Sequence, residues 1–480
     1  MTSDSSGIER LSAFDLTNLA VEAPDTPMHV GMVAILDGRS LLDACGRLRM
    51  TEVHDRLRTG LCAAPKLRKV VYRPGPLAGR PLWVDDPGFA IERHVAQVAI
   101  DPPGGEDELL GLAERLMRTV LDRSRPLWHL WVVTGLPDRR LAVVVKIHHA
   151  VSDGIAAIRL MTALLDPPPD AAGASLWIPV AVPSWHHLVS ARFRRGTGRT
   201  ARGAAEQPTL RRTFLGAWHT LRRGWAAPRT SLNAPIGPGR RLGVVRLDLA
   251  DAKAVAHAAG GKVNDVILAL IAGGLRDVLR SRGEPVDNLD LRVAVAVSLR
   301  DPDRPAGDGN HNGSIVIRLP LHGADSAARL RAVTAETTLA KRQQTAVAQQ
   351  HFMIFMARIG LARRLSRTQH IINLVESNVP GPSAPIRILG APVLDLVPIG
   401  AIAGNLTVTF LAVSYAGRLV ITAVADRDRF PDLPVALAGM TREWSSLAAP
   451  RRAKVRCVEE GANDGYENRT LRYDTPHPSR

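Results

Sequence analysis

The stretch LAVVVKIHHAVSDG, residues 141–154, decides the fold of this chain, because a run of apolar residues ends there in two histidines, an aspartate and a glycine. Its β-branched residues predict a buried strand. Successive side chains of a strand point to opposite faces, so His148 and His149 cannot both face one site. A metal ion held by this adjacent pair is therefore disfavoured, since metal ligands usually converge from alternate positions or from separate elements.

The segment after the two histidines predicts a loop that leads into a helix. From Gly154 onward the apolar residues recur at helical spacing, and they are Ile155, Ile158, Met161 and Leu165. Asp153 stands where the chain turns into that helix, so its carboxylate would cap the helix or pair with an arginine; proton acceptance is the weaker alternative. Gly154 would permit a backbone conformation that is closed to other residues. This arrangement favours one imidazole, that of His149, aimed into a cleft.

The pattern His148-His149-x-x-x-Asp153-Gly154 resembles the HHxxxDG signature of the coenzyme A-dependent acyltransferase superfamily. The segments RPLW, residues 125–128, and VNDV, residues 263–266, resemble the PLW and ND motifs of one of its families, the wax ester synthase/diacylglycerol acyltransferases. Further matching segments are PMHVG at 27–31, GRPLW at 79–83, SLR at 298–300, NVPGP at 378–382 and SYAG at 414–417. The resemblance covers roughly residues 10–447, and Ala296 departs from it where the family usually has a proline.

The resemblance implies a fold and a reaction. The implied fold is of the α/β class with mixed sheets, in two chloramphenicol-acetyltransferase-like domains with the active site in a tunnel between them. The implied donor is long-chain acyl-CoA, a co-substrate, with no further cofactor and no metal. The implied acceptor is diacylglycerol, which gives triacylglycerol, or a long-chain alcohol, which gives a wax ester. Four residues are expected at the substrate channel, Pro126, Leu127, Trp128 and Gly154, although composition alone suits Trp128 equally to core packing.

His149 is the candidate general base, because an imidazole with a pKa of about 6.5 can take the proton of a hydroxyl that attacks a thioester. The oxyanion that forms needs a hydrogen-bond donor. Asn264, at the start of a predicted apolar helix, offers its side-chain amide; by itself the residue suits a helix N-cap better, and the ND motif favours the donor role. Apart from Ser152, no serine or cysteine stands beside His149, so we expect direct transfer without an acyl-enzyme. His148, on the opposite strand face, is expected to serve stability more than chemistry.

Composition shifts predict four segments. An N-terminal acyltransferase domain is expected at 1–175, a basic crossover at 176–240, a second acyltransferase-like domain at 241–449 and a disordered tail at 450–480. The strands predicted at 291–297, 314–319, 393–398, 406–414 and 419–424 are assigned to the sheet of the second domain. His29, in a strand-like run near the start, is assigned a structural role, because no carboxylate or second histidine stands at ligand spacing.

The net charge of +16 favours an anionic partner, which is nucleic acid, a lipid surface or a phosphorylated ligand such as coenzyme A. Aromatic residues make up only 4% of the chain and no nucleic-acid-binding motif accompanies the arginines, so nucleic acid is disfavoured. Three cysteines at unrelated spacings disfavour a disulfide framework or a zinc site. The N-terminus lacks the pattern of a signal peptide. We therefore expect a cytoplasmic protein, peripherally associated with the inner membrane or lipid droplets; the sequence does not indicate its oligomeric state.

The basic crossover is the segment predicted to contact lipid. Residues 192–223 hold nine arginines against one acid, Glu206, and tryptophans flank them, which predicts amphipathic helices with a cationic face. A solvated basic linker is the equal alternative. For the whole chain two further alternatives stand: an acyltransferase for another hydroxyl or amine acceptor, and a catalytically silent lipid-binding protein of the same fold.

Overall fold

The chain alternates helices and strands over the residues that the computed structural model describes, which are 9–75, 77–152, 154–167, 177–197, 226–298, 312–323, 325–342 and 362–462. The helices are α1 (Ala13–Val21), α2 (Met50–Ala63), α3 (Glu106–Arg118), α4 (Gly154–Leu165), α5 (Trp185–Thr197), α6 (Leu249–Ala258), α7 (Val263–Ser281), α8 (Ser326–Arg342), α9 (Ala362–Thr368) and α10 (Leu433–Ala462). The strands are β1 (Glu9–Arg10), β2 (His29–Asp37), β3 (Lys69–Tyr72), β4 (Leu82–Asp85), β5 (Val95–Ala99), β6 (Trp128–Thr134), β7 (Arg140–His148), β8 (Arg240–Asp248), β9 (Asp290–Ser298), β10 (Asn312–Pro320), β11 (Leu374–Pro380), β12 (Arg387–Ile388), β13 (Ala391–Ile399), β14 (Val408–Tyr415) and β15 (Arg418–Asp426).

The predicted strand before the two histidines is β7, a central strand of the first large sheet, whose order is β12-β13-β2-β7-β6-β5. Every residue of β7 after Arg140 is buried, which explains why its apolar residues run on without alternation. The predicted antiparallel pairing of β6 with β7 is confirmed. The predicted helix after the histidines is also confirmed as α4. It packs against α2 at Gly60, where a Cβ atom would lie 1.9 Å from the carbonyl oxygen of Leu164.

The second large sheet has the order β10-β9-β11-β14-β15-β8. β11 runs parallel to both of its neighbours, β9 and β14, while the other pairs are antiparallel. Gly381 directly follows β11, and a Cβ atom there would lie 2.3 Å from the carbonyl oxygen of Ser414, so only glycine fits at this position of the NVPGP segment. α7 is buried from Asp265 to Leu279 apart from Asp277, as its apolar sequence predicts.

One predicted strand lies in the other sheet. Residues 393–398 form part of β13, as predicted, but β13 pairs antiparallel with β2 in the first sheet, so its assignment to the second sheet is wrong. A period-two pattern predicts a strand and carries no information on its neighbour. β13 also links the two sheets, because its Asp395 accepts a hydrogen bond of 2.8 Å from Arg246 of β8.

The predicted segment boundaries stay predictions, but parts of them can be described. α5 lies in the basic crossover, and residues 198–225 of that segment fall outside the described part of the chain. α10 continues past Pro450 to Ala462, where the sequence predicts a disordered tail. Over the described ranges no single helix has the length and apolar character to cross a membrane; α6 and α7, bent by 92° to each other, meet those criteria as a pair.

Candidate active site

The two histidines of the signature have different surroundings. His148 is the last residue of β7 and lies directly opposite His29, the first residue of β2. Residues directly opposite each other in an antiparallel pair share a face of the sheet, and the two imidazole rings lie 6.0 Å apart. Both are buried, with exposed fractions of 0% for His148 and 2% for His29. His149 follows the strand, is half-buried, and has the ring of Phe14 against it at 5.6 Å.

Glu22, the residue that follows α1, lies between the two buried imidazoles. Its Oε1 is 3.2 Å from Nε2 of His148 and 3.4 Å from Nε2 of His29. Its Oε2 accepts a hydrogen bond of 2.8 Å from Arg123. Burial by itself would raise the pKa of Glu22, but the nearby imidazoles of His148 and His29 and the hydrogen bond from Arg123 outweigh it and hold that pKa well below its ordinary value. Glu22 is therefore a buried carboxylate in its charged form.

The hydrogen bonds of His148 fix the turn in which His149 lies. Nδ1 of His148 accepts a hydrogen bond of 2.9 Å from the backbone N–H of Ala150. The ring hydrogen must then be on Nε2, where it faces Glu22. On the other side of the turn, the backbone N–H of His149 donates to the carbonyl of Met28 at 2.8 Å. The backbone of His149 is thus held in place, and its half-buried ring lies against Phe14.

Asn264 is the second residue of α7, and its side chain does not cap that helix. The N-cap position is Lys262, whose backbone N–H donates to Asp265 at 2.7 Å. The side-chain amide of Asn264 instead donates to Oε2 of Glu376 on β11, at 3.2 Å. The interpretation of Asn264 as an N-cap is therefore wrong, and its amide reaches across to the second sheet.

Glu376 is fully buried, with 0% of its surface exposed. Its neighbours in register are Val295 of β9 and Phe410 of β14. Burial raises the pKa of Glu376 to about 8, the hydrogen bond from Asn264 opposes that rise, and the charge of Asp265 adds to it. These surroundings favour the neutral carboxylic acid over the carboxylate at neutral pH.

Two contacts bring these clusters toward each other. α4, which begins at Gly154 directly after the signature, packs against β11, the strand that carries Glu376. α1, which carries Phe14, packs against α9 from the second half of the chain. The helix that follows the candidate base and the strand that carries the partner of the candidate amide donor are therefore in contact.

Two family models match this chain. The wax ester synthase/diacylglycerol acyltransferase catalytic domain matches residues 11–267, and the C-terminal domain of the same family matches residues 308–447. This chain belongs to the wax ester synthase/diacylglycerol acyltransferase family. Its membership confirms the family predicted from the HHxxxDG, PLW and ND segments.

Relatives of known sequence agree with this assignment. A putative diacylglycerol O-acyltransferase of Mycobacterium tuberculosis is 32% identical over 444 residues, which cover 89% of this chain and 87% of the relative. A probable diacylglycerol O-acyltransferase of the same species is 33% identical over 455 residues, which cover 91% of this chain and 95% of the relative. The predicted enzyme class, an acyltransferase acting on diacylglycerol or a long-chain alcohol, is confirmed at the level of the family; the role of His149 stays a prediction.

Solved structures confirm the fold class. The wax ester synthase/diacylglycerol acyltransferase of Marinobacter aquaeolei VT8 has a TM-score of 0.67 at 24% identity, and the match covers 92% of this chain and 99% of that one. The starter condensation domain of rhizomide synthetase, in complex with C8-CoA and Leu-SNAC, has a TM-score of 0.59 at 16% identity, with 92% and 95% covered. This acyltransferase therefore has the predicted mixed α/β fold of two chloramphenicol-acetyltransferase-like domains.

The PLW segment of the acyltransferase is buried. Leu127 and Trp128 are each 1% exposed, and Pro126 is buried beside them. The indole N–H of Trp128 donates to the carbonyl of Leu67 at 2.7 Å, and its ring stacks on His94 with the centroids 4.8 Å apart. The carbonyl of Leu127 accepts a hydrogen bond of 3.0 Å from the backbone N–H of His148. These contacts are those of core packing that supports the histidine turn, and the place of the segment in a substrate channel stays a prediction.

Other predicted features can be located only in part. Asp153 lies outside the described residues, so its arginine partner stays unidentified. Across the described ranges, no group of three or more His, Cys, Asp or Glu side chains is arranged to hold a metal ion. A cavity of about 350 Å³ lies at the opposite end of β7 from the histidines, beside Arg140 and Leu141.

Sequence reasoning missed three residues of the cluster around His29 and His148, namely Glu22, Arg123 and Lys146. His29 was assigned a structural role and is buried as expected, but the carboxylate and the second histidine beside it, Glu22 and His148, were not foreseen. Arg123 and Lys146 complete the cluster; Lys146 donates to the carbonyl of Leu116 at 2.9 Å, and burial lowers its pKa to about 8 although the charge of Glu22 opposes this. The one signal in the sequence was that Glu22 and Lys146 are charged residues in otherwise apolar segments, which need partners when buried.

Proposed function

We propose that this acyltransferase moves a long-chain acyl group from acyl-CoA to the hydroxyl of diacylglycerol or of a long-chain alcohol, with His149 as general base. The observation that carries the proposal is the turn after β7. Its backbone is fixed by the bonds from Ala150 to His148 and from His149 to Met28, while the His149 ring takes no part in those bonds. A base held in this way keeps its position relative to a bound hydroxyl, which is the geometric requirement for proton transfer.

The reaction follows from the roles of two side chains. His149 accepts the hydroxyl proton as the oxygen attacks the thioester carbonyl carbon, and a tetrahedral oxyanion forms. One N–H of Asn264 donates to that oxyanion. The C–S bond then breaks, the thiolate of coenzyme A leaves, and the imidazolium of His149 returns the proton to sulfur. An ester and free coenzyme A are the products, and no acyl-enzyme forms.

Release of coenzyme A from a long-chain acyl-CoA tests the proposal. We expect release by purified enzyme only when diacylglycerol or a long-chain alcohol is present, and loss of that release in His149→Ala. The variant His149→Gln, of similar size, is expected to fail as well, because an amide cannot take the proton. Equal rates for wild type and His149→Ala would refute the base, and no release with any acceptor would favour a silent lipid-binding protein. A panel that includes amines distinguishes the alternative acceptors.

We also propose that the basic crossover holds the enzyme on the cytoplasmic side of an anionic membrane or a lipid droplet, where its acceptors lie. Apolar side chains that protrude from the described part of this segment support the proposal. Ile178 is 80% exposed and Val180 is 74% exposed. Trp185, also exposed, begins α5, and Arg192 of the same helix donates to the carbonyl of the exposed Leu77 at 3.0 Å. Apolar side chains beside arginines suit the interface of an anionic membrane.

Flotation with liposomes tests this location. Each arginine near an anionic surface contributes about 1 kcal/mol, and salt screens that contribution. Binding to anionic liposomes should therefore weaken with salt and in a variant with five arginines changed to Gln, at Arg192, Arg194, Arg195, Arg199 and Arg202. Replacement of Ile178 and Val180 by Ser should weaken the binding that remains at high salt. Leu394→Ser, at an exposed apolar residue outside the crossover, is the control and should leave binding unchanged. Binding indifferent to salt, lipid charge and all these variants would leave the segment as an interdomain connector.

A further inference from the structure

The contact between Asn264 and Glu376 leaves two buried polar atoms without a partner. The amide nitrogen of Asn264 donates to Oε2 of Glu376 at 3.2 Å. Oε1 of Glu376 and Oδ1 of Asn264 are both buried, and neither has a hydrogen-bond partner within the described residues. These two oxygens belong to the same two side chains that already share one hydrogen bond.

The charge state of Glu376 decides what these oxygens can do. An ionised carboxylate only accepts hydrogen bonds. Oε1 of Glu376 and Oδ1 of Asn264 would then be two buried acceptors on side chains that touch, and neither would have a donor. Each unsatisfied acceptor would lose its bonds to water without compensation. A protonated Glu376 carries a hydroxyl, and the amide oxygen of Asn264 is an acceptor for it. One proton therefore satisfies both orphaned atoms.

We infer that Glu376 is a neutral carboxylic acid that joins Asn264 in a ring of two hydrogen bonds, Asn264 N–H to Oε2 and Glu376 O–H to Oδ1. Glu376 is then a positioning residue. Glu376 fixes the orientation of the Asn264 side-chain amide and accepts a hydrogen bond from one of its two N–H groups. The second N–H then points in a fixed direction, in which it can donate to the oxyanion. This role rests on the proposed function, in which Asn264 is the oxyanion donor.

The groups packed around Glu376 favour the neutral form. Val295 and Phe410 flank it on β9 and β14. On α4, which packs against β11, the charged residue is Arg159, and it is exposed. The charged group that acts on Glu376 is Asp265 of α7, a buried carboxylate that disfavours a second negative charge nearby. Asp265 has donors of its own, including the hydroxyl of Thr337 at 2.7 Å.

Ionisation of Glu376 should release the amide. Burial raises the pKa of Glu376 to about 8, with Asp265 adding to the rise and the Asn264 bond opposing it. Above this pH the hydroxyl donor is lost, and Oε1 and Oδ1 repel each other. We therefore expect kcat to fall as pH rises through about 8, with little change in KM for acyl-CoA.

Substitution of Glu376 by Gln separates the pairing from the charge. Glutamine can make both hydrogen bonds of the ring, since its oxygen accepts from Asn264 and its amide donates to Oδ1, and it does not ionise. Glu376→Gln should keep most of the neutral-pH kcat and lose the alkaline decline. Glu376→Leu fills the space without either bond and should lower kcat about tenfold to a hundredfold, less than or equal to the loss of a whole oxyanion donor. Glu92→Gln, at an exposed glutamate that pairs with Arg58, is the control that should keep the alkaline decline.

Infrared difference spectra between neutral and alkaline pH test the pair without any activity. Wild-type enzyme should lose a protonated carboxylic-acid band as the pH rises, Glu376→Gln should lack that change, and Asn264→Ala should shift the band. The absence of a titrating band in wild type, or a Glu376→Gln variant as slow as Glu376→Leu, would overturn the inference. A further outcome is that wild type shows the titrating band while Asn264→Ala keeps the wild-type kcat. That result would refute the role of Asn264 as oxyanion donor and, with it, the positioning role of Glu376. The hydrogen-bonded pair of acid and amide would stand.

Discussion

Glu22 in the first half of the chain and Glu376 in the second are both buried beside a residue of the candidate active site, yet their surroundings favour different charge states. The side chain of Glu22 is 1% exposed and Glu376 is 0% exposed. Burial acts to raise the pKa of each. Two imidazoles and a guanidinium face Glu22, whereas one amide and a neighbouring carboxylate face Glu376. The donors that meet a buried carboxyl, and not its depth, decide whether it keeps its proton.

This difference implies different tolerance to substitution. Around Glu22 the carboxylate pairs with Arg123 and faces Nε2 of His148, so its removal leaves both groups without their anionic partner. Around Glu376 the pair is neutral, and an amide can replace the acid with both hydrogen bonds kept. Replacement of the glutamate by glutamine should therefore destabilise the protein at Glu22 and be tolerated at Glu376.

The largest expected effect is that of Glu22→Gln on stability. Leaving a buried donor without its acceptor typically costs about 1–3 kcal/mol, and more when the lost acceptor was charged, as it is here. We expect a loss of that size in the free energy of unfolding, measured by urea denaturation, together with loss of activity as the turn around His149 loosens. Glu92→Gln is the matched control, since Glu92 pairs with Arg58 at the surface with 52% exposed, and it should change stability by about 0.5 kcal/mol or less. Equal losses for the two variants would contradict the distinction.

The protonation of Glu376 should make the stability of the protein fall as the pH rises. In the unfolded chain this residue ionises near its ordinary value of 4.5, and in the fold its pKa is about 8. Between these values the folded state keeps a proton that the unfolded state has lost, so the free energy of unfolding falls as pH rises. Glu376→Gln does not ionise and should not show this loss. Its free energy of unfolding should therefore rise relative to that of wild type by up to ~1.4 kcal/mol per pH unit across that window. Urea midpoints of both proteins over a pH series measure the gain; a constant difference would mean that Glu376 is ionised in the fold.

Glu22 gives the converse dependence on the acid side. Its pKa in the fold lies below the ordinary value of 4.5, so its stabilisation is complete above that value and is lost as the pH falls further. The advantage of wild type over Glu22→Gln should therefore be constant at neutral pH and shrink below pH 4.5. Thermal unfolding of both proteins in acidic buffers follows this change. An advantage that began to shrink already near neutral pH would show that the histidines, and not the carboxylate, titrate first.

The same two glutamates mark how far the sequence predicts the site. β7, the turn after it, α4 and α7 follow from apolar periodicity, and the resemblance to a family singles out His149 and Asn264. The hydrogen-bond partners of these residues cannot be predicted from the sequence. Glu376 is 112 residues from Asn264 along the chain and lies on a strand that pairs parallel with its neighbour. The sheet of β13 was missed for the same reason, since pairing between distant strands leaves no mark in a single sequence. A lone acid at the end of a mostly apolar run, as in IINLVE at 371–376, was the signal available for Glu376.

The smallest expected effect concerns Arg123, the exposed member of the cluster around Glu22. Its guanidinium donates to Glu22 at 2.8 Å and to the carbonyl of Leu19 at 2.8 Å, but its side chain is 39% exposed, so water replaces part of what a substitution removes. Arg123→Gln should therefore cost about 1 kcal/mol, less than Glu22→Gln, because the two imidazoles still face the carboxylate. Arg58→Gln, at an arginine that is 51% exposed, is the matched control, and urea denaturation measures all three variants. If Arg123→Gln cost as much as Glu22→Gln, the arginine rather than the two histidines would be the partner that keeps Glu22 charged, and the contrast with Glu376 would rest on one guanidinium.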